Sequence, residues 1–210
     1  MMVGEERFFS IKKEKRRNEV VPRKARPFVL LQDGRKAFCF NQGASMDTKQ
    51  VIQSQYLAAL AMLEQAVVKC PQELWAARDD KNKFWHIAYH ALFYTHLYLQ
   101  DTEKDFRPWE NHRDEYQYLG ALPLPPHDLP KIGEAYSKEN VLAYLVFVQT
   151  KVRERVPALE LEGPSGFDWL RLGKLELQLY SIRHLQQHNG ELYERLGRAG
   201  IDLPWIDSAE

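Results

Sequence analysis

Phe84-Trp85-His86-Ile87-Ala88-Tyr89-His90-Ala91-Leu92-Phe93-Tyr94-Thr95-His96 is the run whose reading decides the fold. It lies in a segment, 81–101, that is apolar on nearly every side, the pattern of a helix enclosed by other helices rather than one lying on a surface. Its apolar part, Phe84 to Leu99, carries three His, a Thr and several Tyr and falls short of the roughly 18 apolar residues of a membrane span. The histidines of this segment therefore sit near a protein core.

Outward from this segment, the chain reads as more helix on both sides. Upstream, Val51, Ile52, Tyr56, Leu57, Leu60, Leu63, Ala66 and Val67 recur at three- and four-residue steps, which predicts a first helix over 48–69 with Asp47 as its cap and Pro71 as its stop. Downstream, 104–137 holds five prolines among Trp109, Tyr116, Tyr118 and Leu124, the composition of a long crossover. Ser137-Lys138-Glu139-Asn140 then has the pattern of a helix start, with Ser137 as cap, and Pro157 stops that third helix. Gly163-Pro164-Ser165-Gly166 reads as a loop, and a fourth helix is expected from about Trp169 to Arg198, closed by Gly197 and Gly200. Four long helices, one crossover and no strand pattern in the body predict an all-α fold, an antiparallel four-helix bundle with the long crossover between helices two and three.

Residues 1–45 are of another composition. They hold 11 Lys/Arg against 5 Asp/Glu, although the whole chain of 210 residues balances 29 against 29, so the body is mildly acidic. We expect 1–45 to be a weakly ordered basic extension, upstream of the native start codon, with a short hairpin over 28–40 around Asp33-Gly34. The domain proper then covers 46–210. The charge balance gives no reason to expect a nucleic-acid partner. The two cysteines, Cys39 and Cys70, have no metal-finger spacing, and no secretory or transit pattern opens the chain. These features lead us to expect a soluble cytoplasmic protein with no membrane partner.

Five of the seven histidines fall on helices two and four: His86, His90 and His96, then His184 and His188. A four-residue step places His184 and His188 about 40° apart around a helix and roughly 6 Å apart along it, so both imidazoles can reach one ion. One His from another helix would complete a three-His set with positions left for water or substrate. The competing reading is that such histidines are hydrogen-bonded core residues. His86 and His90 form a second pair of the same spacing, so four His at one closed, structural site is a further arrangement. Leu185 after His184 excludes the zincin motif, which needs Glu there.

The segments Trp85-His86-Ile87-Ala88-Tyr89-His90-Ala91-Leu92-Phe93 and Arg183-His184-Leu185-Gln186-Gln187-His188-Asn189-Gly190-Glu191-Leu192, separated by a long aromatic crossover, resemble the DinB/YfiT-like superfamily over about 46–206. The resemblance implies a four-helix bundle whose metal ligands are His90, His184 and His188. It also implies metal-dependent hydrolases or thiol S-transferases, a small-molecule substrate such as a low-molecular-weight thiol, and a homodimer. Neutral imidazoles leave a divalent ion its full charge, and zinc or nickel suits three of them. The alternative is a non-catalytic helical stress-response or interaction protein with a structural or vestigial His cluster. His86 is then a residue behind the ligands or a core polar group, and His96 faces another helix. His112 and His127 belong to the crossover. Glu191 orients a ligand, takes a proton or pairs with Arg195. Trp85, Tyr89, Phe93, Trp109, Tyr116 and Tyr118 line an apolar pocket or pack core and lid.

Overall fold

The computed structural model describes residues 47–77 and 79–209, together with the backbone of 28–30 and 36–38. Phe28–Leu30 (β1) and Lys36–Phe38 (β2) pair antiparallel with Phe28 opposite Phe38. The other expectations for the extension, its Asp33-Gly34 turn among them, lie outside the described residues. The second unit, Met46–Glu210, is taken by itself.

That unit is all-α. Among the described residues it holds α1 (Thr48–Lys69), α2 (Gln72–Trp75), α3 (Phe84–Tyr98), α4 (Lys138–Arg155) and α5 (Lys174–Arg198). The start signals act as their chemistry requires. Asp47 accepts from the Lys49 and Gln50 amides at 2.9 and 3.4 Å, and the Ser137 hydroxyl accepts from the Asn140 amide at 3.2 Å. Gly200, at φ +77°, ends α5 with its amide on the Gly197 carbonyl and the Ile201 amide on Leu196, so orphan carbonyls of the last turn are satisfied. Gly197 lies in the last turn of the helix and contributes its carbonyl to that stop. None of these helices is long and apolar enough to cross a membrane.

Two boundaries differ from expectation. The short α2 follows Pro71 and buries Trp75, whose indole donates to the Tyr136 carbonyl at 2.8 Å. The last helix begins at Lys174 rather than near Trp169, because 163–173 satisfies its own backbone: Pro164 bridges Gly173, the Ser165 amide donates to Leu172, and the Ser165 hydroxyl takes the Phe167 amide.

Each long helix packs on two others: α1 on α4 and α5, and α3 likewise on α4 and α5. Lys49 reaches the Pro157 carbonyl and Lys138 the Cys70 carbonyl, so α1 and α4 run in opposite directions. Gln178 bonds the Tyr98 carbonyl and Arg195 the Asn82 carbonyl, so α3 and α5 do too. Tyr56 bonds Gln178 and Tyr193 bonds the Met62 carbonyl, which sets α1 and α5 in the same direction. Tyr89 packs on Tyr144 and Arg155 reaches the Leu99 carbonyl, so α3 and α4 also run together. Two of the four packed pairs, α1–α4 and α3–α5, are thus antiparallel, and the other two run the same way. The physical reason is the connection 99–137, which is long enough to carry the chain back along α3 before α4 begins.

Of the stripe expected on α1, Ile52, Tyr56, Leu57, Leu60, Leu63, Ala66 and Val67 are buried and Val51 is exposed, and Leu92, Tyr144, Leu145, Leu185 and Leu192 complete the core from the other helices. His96 is buried too, against α4 as expected, with Nδ1 3.3 Å from the Tyr144 hydroxyl and its ring between Phe106 and Phe147. Burial, helped by Lys151, lowers its pKa from 6.5 to about 4. The folded state therefore favours neutral His96. Its contribution is full above pH 6.5 and is lost as pH falls towards 4, up to roughly 3 kcal/mol. His90 and His184 titrate in the same direction, so the readout is a difference: unfolding free energy should fall less between pH 7 and pH 4.5 in His96→Phe than in the parent. Equal losses in both would refute the assignment.

Candidate metal centre

His90 comes from the middle of α3, while His184 and His188 lie one turn apart in the middle of α5. The α3–α5 contact brings one nitrogen of each ring within 4.8 Å of the others, so the three could hold a metal ion. His184 Nε2 stands 3.1 Å from His90 Nε2 and 3.1 Å from His188 Nε2. The ring of His188 lies nearly perpendicular to the other two, at 84° and 88°.

The outer nitrogens settle the protonation pattern. His90 Nδ1 lies 2.6 Å from the Gln117 carbonyl oxygen, which can only accept, so Nδ1 carries the proton and Nε2 a lone pair. His188 Nδ1 donates in the same way to the Glu191 carboxylate at 3.1 Å. Two lone pairs therefore face His184 Nε2, which has at most one proton to offer. In a metal-free neutral cluster one of the two 3.1 Å contacts is lone pair against lone pair. A cation between the rings removes that conflict. Two imidazole nitrogens bound to one zinc at about 2.0–2.1 Å stand roughly 2.9–3.4 Å apart for right-angled to tetrahedral arrangements, which brackets the observed spacing.

Burial, reinforced by His188 and His184, lowers His90 to about 3, and burial with His188 lowers His184 to about 4. Both are neutral ligands at pH 7. His184 Nδ1 is buried without a hydrogen-bond partner, so on its outer side this ring is held by packing: Tyr180 stacks on it, and Tyr94 meets it edge-on.

The remaining sequence candidates separate. His86 is buried with Nε2 on the Tyr116 carbonyl at 2.8 Å and lies outside the cluster, so a four-His site does not form. His112 bonds the Tyr89 hydroxyl at 2.6 Å, and His127 bonds the Leu122 carbonyl. Glu191 pairs with His188, and Arg195 instead reaches Asp80 at 3.2 Å. Trp85, Tyr89, Trp109 and Tyr116 are buried and pack on Tyr136 or Tyr144, while buried Phe93 packs on Tyr89 and Phe106. Of the six aromatic candidates, Trp85 and Tyr118 line a cavity of about 430 Å³, with Lys81, His86, Leu119 and Ile132 also in its wall.

Gln117, Tyr94 and Tyr180 were missed by sequence reasoning. The two tyrosines carried a usable signal, standing four residues from His90 and His184 on the same helix faces. Gln117 carried none, because a backbone carbonyl in a loop leaves no trace in residue type.

No model of a known protein family matches the chain, and neither does any curated protein.

Proposed function

We propose that the protein is a metal-dependent enzyme of DinB-like type, in which His90, His184 and His188 hold a zinc or nickel ion. In this reading the four long helices form a four-helix bundle, with the 99–137 connection as its crossover and α3 and α5 as the site-bearing pair. The observation that carries it is the meeting of two outward-anchored imidazole lone pairs at His184 Nε2.

A divalent ion in that position supplies Lewis acidity, bringing a bound water towards a pKa of about 7 or keeping a thiol as its thiolate. The protein's own contribution is orientation. The Gln117 carbonyl and Glu191 fix the two ring tautomers, and Tyr94 and Tyr180 wall the rings off with apolar surface. The reaction class is hydrolysis, or transfer of a low-molecular-weight thiol to a small electrophile. Its partners are the small-molecule substrate and a second copy of the chain, with no nucleic acid or membrane, in a cytoplasmic setting.

The test is metal content per chain of untagged protein purified without chelator, followed by turnover on thiol–electrophile pairs and simple esters or amides. About one equivalent of zinc or nickel and metal-dependent turnover is the expected result. No metal bound as purified, and none taken up on titration, would leave a non-catalytic interaction protein with core histidines.

A further inference from the structure

His86 and His90 stand one turn apart on α3, and both bond the same stretch of crossover through successive residues. His86 Nε2 donates to the Tyr116 carbonyl at 2.8 Å and His90 Nδ1 to the Gln117 carbonyl at 2.6 Å. We propose that His86 is a positioning residue for the three-His centre, registering the 116–117 backbone on α3 so that the Gln117 carbonyl meets and orients His90. The inference rests on the metal reading of that centre.

Loop backbone is held to a helix by whatever bonds it makes, and here the histidine pair makes two in sequence. His86 is 6% exposed and its ring stacks on Trp85 at 4.9 Å, so its geometry is set by packing on α3 before the crossover arrives. Tyr116 is anchored from the other side: its ring lies 5.7 Å from that of Trp85, its hydroxyl donates to the Glu134 carbonyl at 3.1 Å, and it accepts from the Gly133 amide at 3.0 Å. With Tyr116 fixed at both ends, the next carbonyl has little freedom. The Gln117 side-chain oxygen is buried without a partner, so the side chain of that residue does not hold the segment through this atom. Its carbonyl is located through its neighbour. A wrongly placed Gln117 carbonyl frees His90 to rotate or to exchange tautomer, and a ligand in the wrong tautomer presents N–H where a lone pair is needed.

Three substitutions separate this role from plain packing. His86→Phe keeps an aromatic ring against Trp85 and removes the donor. His86→Gln places an amide N–H near the position of Nε2, and His86→Asn is one methylene too short to reach the carbonyl. Zn(II) affinity, read by titration against a competing chelator, should fall about 10- to 100-fold in His86→Phe and His86→Asn. It should stay within about threefold of the parent in His86→Gln, with melting curves showing each protein folded. Equal affinity in all four folded proteins would overturn the proposal. If His86→Phe does not fold, the Gln and Asn pair decides it alone. The imidazole nitrogen NMR signals of His90 in the metal-free protein give a reading that no metal need support. A hydrogen-bonded Nδ1–H in the parent and in His86→Gln, lost in His86→Asn, sustains the positioning role, whereas the same signals in all three overturn it. If the parent binds no Zn(II), the metal reading fails, and the NMR comparison still judges His86.

Discussion

Replacing His184 by alanine is expected to abolish stoichiometric metal binding and to leave the helical fold in place. His184 Nε2 is the atom that both other ligand nitrogens approach at 3.1 Å, so its loss leaves two imidazoles that no longer enclose an ion from three sides. Affinity should drop by more than the roughly 10- to 100-fold typical of losing an outer partner. The fold should survive, because His184 makes no hydrogen bond outside the cluster and its side chain is only partly buried. In the metal-free state the substitution even removes the facing lone pairs, so its melting temperature should equal or exceed that of the metal-free parent. With metal in excess the order reverses, since only the parent gains the stabilisation of a bound ligand, about 2.7 kcal/mol at a hundredfold excess over Kd. Metal analysis and thermal melts with and without Zn(II) check this, and unchanged metal content in the variant would remove His184 from the site.

Gly166→Ala should be among the most destabilising single changes in the helical unit. Gly166 has φ +84°, a region L side chains rarely adopt, and a Cβ there would stand 1.9 Å from the Asp101 carbonyl oxygen. Backbone meets backbone at this point, so no side-chain rotation relieves the overlap. The crossing cannot easily part either. The Glu103 amide donates to the Gly166 carbonyl at 3.1 Å, and buried Lys174 spans it, with its ammonium on the Gln100 and Asp101 carbonyls at 2.9 and 2.8 Å and on that of Ser165. We expect a loss of about 3 kcal/mol or more. At roughly 2–4 °C per kcal/mol for a unit of this size, the melting temperature should fall about 6–12 °C. Gly200→Ala is the internal comparison. Gly200 shares the positive φ, at +77°, but has nothing within 4 Å of an added Cβ, so only the backbone penalty of about 1 kcal/mol applies. Equal melting shifts in the two variants would show that the 163–173 loop gives way.

How far each element was legible follows from how local its cause is. The caps Asp47 and Ser137 were readable because an N-cap bond spans two or three residues. The stop at Gly197 and Gly200 was readable for a similar reason, since the Gly200 amide reaches back only three residues to the Gly197 carbonyl. The start of α5 was misplaced because it depends on a bridge between Pro164 and Gly173 and on Lys174 reaching carbonyls some seventy residues away. The aromatic residues were seen as a group, and only the tertiary packing showed that Trp85 belongs both to the buried stack around Tyr136 and to the cavity wall, whereas Tyr118 lies at the cavity alone.

The histidines divide along the same line. By itself the sequence determined the helical class and the shared face of His184 and His188, since both follow from the 3.6-residue period. Its resemblance argument singled out His90 as their companion. The tertiary structure alone decided that His90 meets them while His86, one turn earlier, bonds a crossover carbonyl instead. It also decided that α3 and α4 run the same way, and that the Gln117 carbonyl holds the outer nitrogen of His90. These are contacts between residues up to about a hundred positions apart, whose geometry depends on how whole helices dock, and no periodicity within one segment encodes them.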